Sequence, residues 1–196
     1  MRCFVAVELA DTLREPLVRL LRHELPATRD VRWCTPQQLH LTLKFLGEVG
    51  DNQLRQVSAA VSAAAEQVAP FSLKLGHLGC FPSARSPRVL WVGMGDPGGG
   101  CARWLAAAEK LFEPLGFARE TRPFQPHVTL GRSRGPKGAE LLRRVLAQPA
   151  GLPPREMTVR EVVLFESRLD PRGARYLPQH RAPLGGRAAA GEDQNR

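Results

Sequence analysis

The sequence has no apolar run long enough to cross a membrane, because no window approaches the roughly 20 apolar residues that a spanning helix needs. The apolar stretch Cys3–Val7 is also too short for the core of a secretory signal, and Glu8 ends it. Cysteine is scarce, and its four residues lie far apart without a C-x-x-C pair: Cys3, Cys34, Cys80 and Cys101. We therefore expect reduced, mostly buried thiols in a cytoplasmic protein, with neither a disulfide framework nor a zinc site.

Acidic residues are too few to balance the basic ones. The chain has 28 lysines and arginines against 19 aspartates and glutamates, which is a formal net charge of +9. A surface of this charge attracts polyanions, with nucleic acid favoured over an anionic membrane. An arginine-rich composition also follows from a GC-rich genome, so charge alone leaves a nucleic-acid partner as one of two explanations. The hydrophobic fraction of 43% is that of a globular chain.

Periodic hydrophobic residues predict alternating strands and helices along the chain. The predicted strands lie at residues 2–8, 31–34, 39–46, 71–75, 88–94, 127–131, 157–169 and around Tyr176. The predicted helices begin at Asp11 and Asp51 and cover residues 104–115 and 139–147. A glycine-rich break at residues 96–100 separates two halves of similar plan, which indicates an internal duplication.

The most informative residues are two short repeats, His40-Leu41-Thr42-Leu43 and His127-Val128-Thr129-Leu130. Strand side chains alternate between faces, so the histidine and threonine of each repeat share one face and the apolar residues share the other. The apolar face can enter the core while the polar face lines a cleft. If the two halves pack about a pseudo-two-fold axis, that cleft holds two imidazoles and two hydroxyls.

Those four groups suit the cleavage of a phosphodiester. A neutral imidazole can take a proton from the attacking oxygen, and a protonated one can give a proton to the leaving oxygen. The unperturbed histidine pKa of about 6.5 makes both forms available near neutrality. The hydroxyls of Thr42 and Thr129 can donate hydrogen bonds to the non-bridging phosphate oxygens. The scheme needs no metal and no cofactor, and His40 and His127 would supply only two metal ligands.

The doubled motif is well above chance. With five histidines and seven threonines in the chain, only roughly 0.2 H-x-T triplets are expected at random. Two are found, both on predicted strands and both followed by leucine. A single H-x-T would more often be a surface-strand coincidence or a structural histidine, but the matched pair favours a catalytic site.

The sequence resembles the 2H phosphoesterase superfamily, and within it the RNA 2′,3′-cyclic phosphodiesterases, also named 2′-5′ RNA ligases. Beside the two H-x-T motifs, the matching segments are Arg2–Val7, Lys44–Glu48, Pro87–Gly93, Phe124–Pro126, Arg132 and Val163–Ser167. The resemblance implies an α+β, bilobal and duplicated fold, with two pseudo-symmetric lobes of antiparallel sheet, outer helices and a central cleft. It also implies that His40 is the proton donor and His127 the proton acceptor, roles that the near-equivalent motifs alone leave open.

Other side chains extend the predicted site. The candidate phosphate contacts are Thr42, Thr129, Lys44 and Arg132. Lys44 shares the strand parity of His40, with a solvated lysine as the alternative. Arg132 has the wrong parity for a regular strand, but a bulge at Gly131 would let it reach the cleft. Phe124 and Tyr176 are candidates for stacking on a base, with core packing as the alternative for Phe124. Arginines flank the second motif as surface charges that can steer RNA: Arg119, Arg122 and Arg134.

We therefore predict an enzyme that hydrolyses RNA 2′,3′-cyclic phosphate ends, or small cyclic nucleotides, to 2′-phosphomonoesters. The alternatives within this class are the reverse reaction, which joins 2′-5′ linked RNA ends, and cleavage of linear 2′-5′ oligonucleotides. A catalytically silent RNA-binding module is the alternative of another class, and the paired imidazoles argue against it. We expect a cytoplasmic monomer without membrane contact, formed by one bilobal domain at residues 1–184 with a disordered tail at residues 185–196.

Overall fold

The computed structural model describes residues 1–148, 151–170 and 173–186, in which four α-helices and nine β-strands form. The helices are α1 (Asp11–Arg19), α2 (Asp51–Glu66), α3 (Gly100–Phe112) and α4 (Pro136–Leu146). The strands are β1 (Arg2–Glu8), β2 (Val31–Trp33), β3 (His40–Glu48), β4 (Phe71–Phe81), β5 (Val89–Gly95), β6 (His127–Ser133), β7 (Glu156–Val159), β8 (Glu161–Arg168) and β9 (Arg175–Pro183). Each predicted helix and strand is present, although several bounds differ.

The strands of the described chain lie in one sheet with the order β7-β4-β5-β6-β3-β1-β8-β9, and β2 pairs with β6 beside it. The neighbouring strands run antiparallel. The sheet divides into a first lobe, formed by β3, β1, β8 and β9, and a second lobe, formed by β6, β5, β4 and β7. The lobes meet where β3 lies beside β6, which are the strands that carry the two H-x-T motifs.

The two lobes arise from a repeated order of elements. Apart from β2, β7 and β9, the first half of the chain runs β1-α1-β3-α2-β4 and the second half runs β5-α3-β6-α4-β8. The last strand of each half crosses to the lobe that the other half begins, since β4 pairs with β5 and β8 pairs with β1. This exchange joins the lobes, and it confirms the predicted α+β, bilobal and pseudo-symmetric fold with a central cleft.

The main core lies between the sheet and its helices. Val5 of β1, Leu41 of β3 and Val128 of β6 point into it and are fully buried, as are Trp104 and Phe112 of α3. Each large aliphatic side chain buried in this way contributes about 1.5–3 kcal/mol. The apolar face of the motif strands is therefore part of what holds the fold together, and the opposite face is left for polar residues.

A smaller apolar cluster covers the opposite face of the first lobe. It consists of Phe4, Ala6, Val163 and Phe165, with Tyr176 packed against it. Because β1 alternates between this cluster and the main core, the strand is buried on both faces and reads as a continuous apolar run. His40 stands on the same face as this cluster, so the fold places an apolar wall beside one of the two predicted catalytic residues.

Two boundaries differ from the prediction in ways that matter for the fold. The predicted strand 157–169 is two strands, because the chain passes at Arg160 from β7, which pairs with β4, to β8, which pairs with β1. The amides of Gly185 and Gly186 donate to the carbonyls of Ala65 and Val68 at 3.2 and 3.1 Å. The first two residues of the predicted tail thus contact the end of α2, and residues 187–196 lie outside the described chain.

The four cysteines are free thiols. Cys3 and Cys101 are buried, and Cys34 and Cys80 are half-buried. Burial raises the pKa of each of these thiols, which disfavours the thiolate that a nucleophile or a metal ligand requires. In the part of the chain that the structure describes, no helix combines the length and the hydropathy needed to span a membrane.

Candidate active site

The two H-x-T motifs lie side by side where the lobes meet. β3 and β6 pair at the residue that separates the histidine from the threonine in each motif. Extending that antiparallel register by one residue on each side sets His40 opposite Thr129 and Thr42 opposite His127. Because alternate residues of a strand share a face, all four polar side chains stand on the same face. The imidazoles therefore lie on one diagonal of a four-residue patch, and the hydroxyls lie on the other.

The contact between the two motif strands is short. Among the described residues, one residue pair joins β3 to β6, whereas seven pairs join β1 to β3. The strands are therefore free to diverge on both sides of the contact, which opens the central cleft over the polar face. The opposite face is buried as predicted, since its four apolar residues belong to the main core: Leu41, Leu43, Val128 and Leu130.

His40 is held by residues close to it in the chain. Its Nδ1 lies 2.8 Å from the carbonyl oxygen of Gln38, and its Nε2 lies 3.0 Å from the hydroxyl oxygen of Thr42. A carbonyl oxygen only accepts, so Nδ1 carries the hydrogen of the neutral ring and Nε2 accepts from the Thr42 hydroxyl. Gln38 is itself fixed, because its side chain accepts from the Thr35 amide at 3.0 Å and donates to the Ala174 carbonyl at 2.8 Å.

His127 is oriented by the same kind of hydrogen bond to a backbone carbonyl. Its Nδ1 donates to the carbonyl oxygen of Gln125 at 2.7 Å, so in both motifs the residue two positions before the histidine fixes the ring. The backbone occupies Nδ1 in both rings. Nε2 is therefore the atom of each imidazole that is left for proton exchange with a ligand.

The environment of His40 disfavours a charged ring. The ring centroids of Phe4 and Tyr176 lie 4.9 and 5.0 Å from that of His40. Burial among such groups lowers the pKa of His40 to about 4, because the charged form loses its hydration. The Gln38 carbonyl opposes this effect by accepting from the ring, and positive charge on His127 adds to it.

His127 has a similar aromatic frame. The ring centroids of Phe81 and Trp91 lie 5.0 and 5.9 Å from its own. The Trp91 indole covers Gly79, where a Cβ would lie 2.1 Å from the indole ring, so glycine is required there. Burial lowers the pKa of His127, and the positive charge of Arg132 lowers it further. The hydrogen bond from the ring to the Gln125 carbonyl acts in the opposite direction.

The prediction that Lys44 faces the cleft is wrong. The β1–β3 register shifts between Thr42 and Lys44, which marks a bulge, and the bulge reverses the parity of the residues that follow. Lys44 therefore turns into the core, where it is 6% exposed. Its Nζ donates to Glu109 at 2.8 Å and to the carbonyl of Ala118 at 2.9 Å. The ammonium charge is neutralised inside the protein and is not offered to a phosphate.

The corresponding bulge in β6 has the opposite consequence. The β5–β6 register shifts between Thr129 and Gly131, so the exposed side chain of Arg132 follows on the polar face. Its charge lowers the pKa of His127, which means that the guanidinium lies within electrostatic reach of that imidazole. Gly131 is required by packing, because a Cβ there would lie 2.4 Å from the ring of Trp33. The bulge that we expected near Gly131 is present, and a phosphate contact by Arg132 stays a prediction.

Sequence reasoning missed Phe45. It follows the bulge of β3 as Arg132 follows that of β6, and its side chain is 71% exposed. Its ring lies 6.0 Å from that of Phe4, which in turn contacts His40. An exposed aromatic ring next to an apolar wall offers a stacking surface for a base. The sequence does contain a signal for Phe45. When the two motifs are aligned on His40 and His127, Phe45 falls at the position of Arg132, which was already a candidate site residue.

The two predicted stacking residues have different positions. Tyr176 lies at the site, with its ring nearly perpendicular to that of His40, and burial raises the pKa of its hydroxyl. Phe124 lies in the loop before β6 and packs, half-buried, against the main core. Core packing, the alternative for Phe124, accounts for the buried part of this side chain, and stacking on a base by Phe124 stays a prediction.

The remaining histidines lie outside both motifs. His180 lies 2.7 Å from the Ser62 hydroxyl, the His77 ring lies 6.4 Å from that of Trp91, and His23 is exposed. Across residues 1–148, 151–170 and 173–186, no group of three or more His, Cys, Asp and Glu side chains is arranged to hold a metal ion.

Known proteins are similar in sequence to this chain over most of its length. A sequence profile of the 2′-5′ RNA ligase superfamily matches residues 5–171. The RNA 2′,3′-cyclic phosphodiesterase of Archaeoglobus fulgidus is 36% identical, over 90% of this chain and 96% of its own length. The RNA 2′,3′-cyclic phosphodiesterase of Methanothermobacter thermautotrophicus is 32% identical, over 90% of this chain and 95% of its own.

Solved structures share the fold. The Thermus thermophilus protein TT0787 has 31% sequence identity and a TM-score of 0.76, covering 96% of this chain and 100% of its own. E. coli LigT, crystallised in complex with 3′-AMP, has 28% identity and a TM-score of 0.72, covering 93% of this chain and 97% of its own. The similarity therefore extends over both lobes and the strands that join them.

Proposed function

Because the chain belongs to the 2′-5′ RNA ligase superfamily, we propose that it hydrolyses RNA 2′,3′-cyclic phosphate ends to 2′-phosphomonoesters by metal-independent acid–base catalysis. The observation that carries this proposal is the pair of imidazoles on one polar face, each with Nδ1 held by a backbone carbonyl. Two relatives that match over nine-tenths of the chain have the same activity in their names. The bilobal unit at residues 1–184 would be the catalytic domain of a cytoplasmic monomer.

In the proposed reaction, water attacks phosphorus from the side opposite the 3′ oxygen. Nε2 of His127 accepts a proton from the water, the bond between phosphorus and the 3′ oxygen breaks, and Nε2 of His40 donates a proton to that oxygen. The product carries a 2′-phosphate and a free 3′-hydroxyl. The Thr42 and Thr129 hydroxyls would donate to the non-bridging oxygens as negative charge grows there. The lowered pKa of His127 suits a base, because the ring is neutral at pH 7.

The role of His40 as a donor needs a further condition. With a pKa of about 4, its ring is neutral at pH 7 in the empty site, and Nε2 then has no proton to give. A bound phosphodiester is an anion, and an anion next to an imidazole favours the charged ring and raises its pKa. Substrate binding would therefore load His40 with the proton that it donates. The proposed order is binding first, protonation second and bond cleavage third.

The surroundings of the patch suit a nucleotide. Arg132 supplies positive charge on the second lobe, and Phe45 and Tyr176 supply aromatic surface on the first lobe. Charge fits the phosphate and aromatic surface fits the base, as in other single-stranded nucleic-acid sites. Small 2′,3′-cyclic nucleotides carry both groups and are candidate substrates beside RNA ends.

The reverse reaction is a second candidate. The matching superfamily is described as 2′-5′ RNA ligase, and joining a cyclic phosphate to a 5′-hydroxyl would use the same two imidazoles, with the 5′-hydroxyl in place of water as the nucleophile. Cleavage of linear 2′-5′ oligonucleotides would use them as well. The strain of the cyclic ester favours hydrolysis when water is the nucleophile. A non-catalytic RNA-binding module remains disfavoured, because binding alone does not require two oriented imidazoles.

The test is a product assay in the presence of EDTA. Purified protein is incubated with an RNA that ends in a 2′,3′-cyclic phosphate, and 2′-phosphate and 3′-phosphate products are separated by chromatography. We expect the 2′-phosphate, at a rate that EDTA does not change. The double variant His40→Ala/His127→Ala is the control for contaminating nuclease. If EDTA abolished turnover and a divalent ion restored it, the metal-free mechanism would be wrong. A 3′-phosphate product would show that a different bond is cleaved.

A further inference from the structure

A cluster of arginines lies at the edge of the second lobe, outside the imidazole pair. Arg85, Arg88, Arg134 and Arg143 line a depression of about 520 Å³ where β6 leads into α4, and we name these four residues the arginine rim. The other residues that line it are Ser86, Ser133, Gly135, Pro136 and Ala139. None of the described residues that line this depression is acidic. All four arginines are exposed, so the charged side chains that line the depression are all positive.

Most of this charge is not neutralised by the protein. Arg143 pairs with Glu140 at 2.5 Å on the surface of α4. No carboxylate in the described residues pairs with Arg85, Arg88 or Arg134, although such pairs occur elsewhere on the surface, for example between Arg119 and Glu113. Unpaired arginines that converge on one depression are the electrostatic footprint of a polyanion.

The arginine rim continues directly from the catalytic cleft. Arg132, on the polar face, is followed in the chain by Ser133 and Arg134, and it lies opposite Val89, the residue after Arg88. The strand from His127 to Ser133 spans on the order of 20 Å. That distance corresponds to a few nucleotides of extended single strand beyond the reacting phosphate.

The loop that carries Arg85 also connects the two sites. It begins after Phe81, whose ring lies 5.0 Å from that of His127. It returns at Arg88, whose amide donates to the Phe81 carbonyl at 2.7 Å and whose carbonyl accepts from Ser133 at 2.8 Å. One short loop therefore contacts an imidazole at its base and the rim at its tip.

The corresponding connection between strand and helix in the first lobe has the opposite charge. Where β6 leads into α4 the chain reads Arg132-Ser133-Arg134-Gly135, and where β3 leads into α2 it reads Gly47-Glu48-Val49-Gly50 followed by Asp51. Glu48 is exposed and lies 3.4 Å from the N-terminal amino group. The pseudo-symmetric fold therefore has unpaired arginines at one of these two connections and acidic residues at the other, which favours the second lobe as the place for further phosphates.

We propose that the arginine rim binds backbone phosphates of the RNA chain a few nucleotides on the 5′ side of the cyclic end. The cyclic phosphate is the 3′ terminus of its strand, so the rest of the RNA leaves the cleft on the 5′ side. The rim would give longer RNA an affinity that a cyclic mononucleotide lacks. This inference rests on the proposed function, because it assumes that the reacting phosphate sits between His40 and His127.

The kinetic test compares two triple variants on two substrates. Arg85→Ala/Arg88→Ala/Arg134→Ala removes the unpaired rim charges, and the matched control removes three exposed arginines elsewhere: Arg2→Ala/Arg22→Ala/Arg55→Ala. On an RNA of about ten nucleotides with a cyclic end, the rim variant is expected to raise KM on the order of tenfold with kcat unchanged. On a cyclic mononucleotide it is expected to match the wild-type protein. The slope of log KM against log salt should fall by about one for each arginine removed.

A binding measurement separates this inference from the proposed function. Fluorescence anisotropy with a labelled RNA that ends in a 2′-phosphate reports affinity without turnover. If the wild-type protein hydrolyses neither substrate, the proposed function fails, while an RNA affinity that depends on the rim still supports the rim. Equal RNA affinities of the rim variant and the wild-type protein would overturn the inference. An equal loss in the control variant would overturn it too, since bulk charge would then be the cause. Loss of binding to phosphatidylserine vesicles with RNA binding intact would assign the rim to a membrane instead.

Discussion

The two motif strands, β3 and β6, are nearly equivalent up to the bulge and differ after it. Each has a histidine whose ring donates to the carbonyl two residues before it, a threonine on the same face and a register shift after that threonine. Beyond the bulge, β3 continues with Lys44 and Phe45, and β6 continues with Gly131 and Arg132. The histidine and the threonine are thus duplicated, while the residue that faces the cleft beyond the bulge is aromatic in β3 and cationic in β6.

This difference arises at the two positions that follow each bulge, where the side chains point to the faces opposite to those that regular alternation predicts. The core-facing position holds Lys44 in one strand, where Glu109 neutralises it, and Gly131 in the other, where the Trp33 ring leaves no room for a Cβ. The cleft-facing position holds Phe45 in one strand and Arg132 in the other. A duplicated fold can therefore keep two equivalent catalytic residues and still bind an asymmetric ligand, because a base and a phosphate require different neighbours.

The largest expected effect tests the equivalent part of the comparison. His40→Ala and His127→Ala should each lower kcat by about 10²–10⁴, because each removes one proton transfer. The double variant should be little worse than the poorer single variant, since the two groups act as a unit. Steady-state hydrolysis of cyclic-phosphate RNA measures this, with circular dichroism as the check on folding and His23→Ala as the matched control. A folded single variant with near-wild-type turnover would contradict the two-histidine assignment.

The next largest effect is expected at the core-facing residue Lys44, and it is an effect on stability and not on binding. Lys44→Ala should lower the free energy of unfolding by about 3–5 kcal/mol, because it leaves the Glu109 carboxylate buried without its partner. The double variant Lys44→Met/Glu109→Leu should recover much of that loss. Urea unfolding measures both. If Lys44→Ala had unchanged stability and a raised KM for RNA, Lys44 would be a phosphate contact and not a buried partner of Glu109.

The cleft-facing positions should differ in their response to salt. Phe45→Ala removes a stacking surface and should raise KM about tenfold at every salt concentration, since stacking contributes roughly 1–3 kcal/mol per base. Arg132→Gln should raise KM by a similar factor at low salt and reduce the salt slope by about one. Arg55→Gln is the control for charge alone. A salt slope that falls in Phe45→Ala as much as in Arg132→Gln would remove the distinction between the two lobes.

The two threonines should separate the motifs more finely. Thr42→Val and Thr129→Val should each lower kcat about tenfold, the cost of one hydrogen bond to a charged group, with the serine variants close to wild type. Thr42 also donates to Nε2 of neutral His40, so its loss should raise the pKa of His40. Titration of the ring by NMR measures that shift. A rise of the same size in Thr129→Val would show that the hydroxyls are interchangeable.

The remaining expected effect is the dependence of stability on pH, which appears only in acid. The folded-state pKa of His40 is about 4, below its ordinary value of 6.5, so the unfolded chain binds the proton more readily. The contribution of His40 is present above pH 6.5 and is lost as the pH falls to about 4. A pKa difference of one unit corresponds to about 1.4 kcal/mol, so in His40→Asn the acid-induced loss of stability over this window should be smaller by about 3 kcal/mol. Urea unfolding at several pH values measures it, and an unchanged pH dependence would mean that the ring is not held neutral.

The local alternation of the motifs was sufficient to predict part of the site. A histidine and a threonine two residues apart must share a face of a strand, and the leucines between and after them must share the other, which the burial of Leu41, Leu43, Val128 and Leu130 confirms. The same rule failed at Lys44, because a bulge inserts one residue and reverses the parity of everything beyond it. A bulge depends on the neighbouring strand, so the residues of β3 alone do not reveal it.

The sequence by itself determined the elements, the polar face of each motif strand and, through its resemblance to a family, the bilobal fold. Those features depend on local alternation and on residue types, which are properties of short segments. Only the tertiary structure decided that β3 and β6 adjoin, that Lys44 is buried on Glu109, that Phe45 and Arg132 face one cleft from opposite lobes, and that Arg85, Arg88 and Arg134 converge. These arrangements join residues far apart in the chain, and the crossing of β4 and β8 between the lobes, which brings them together, is a property of the whole sheet.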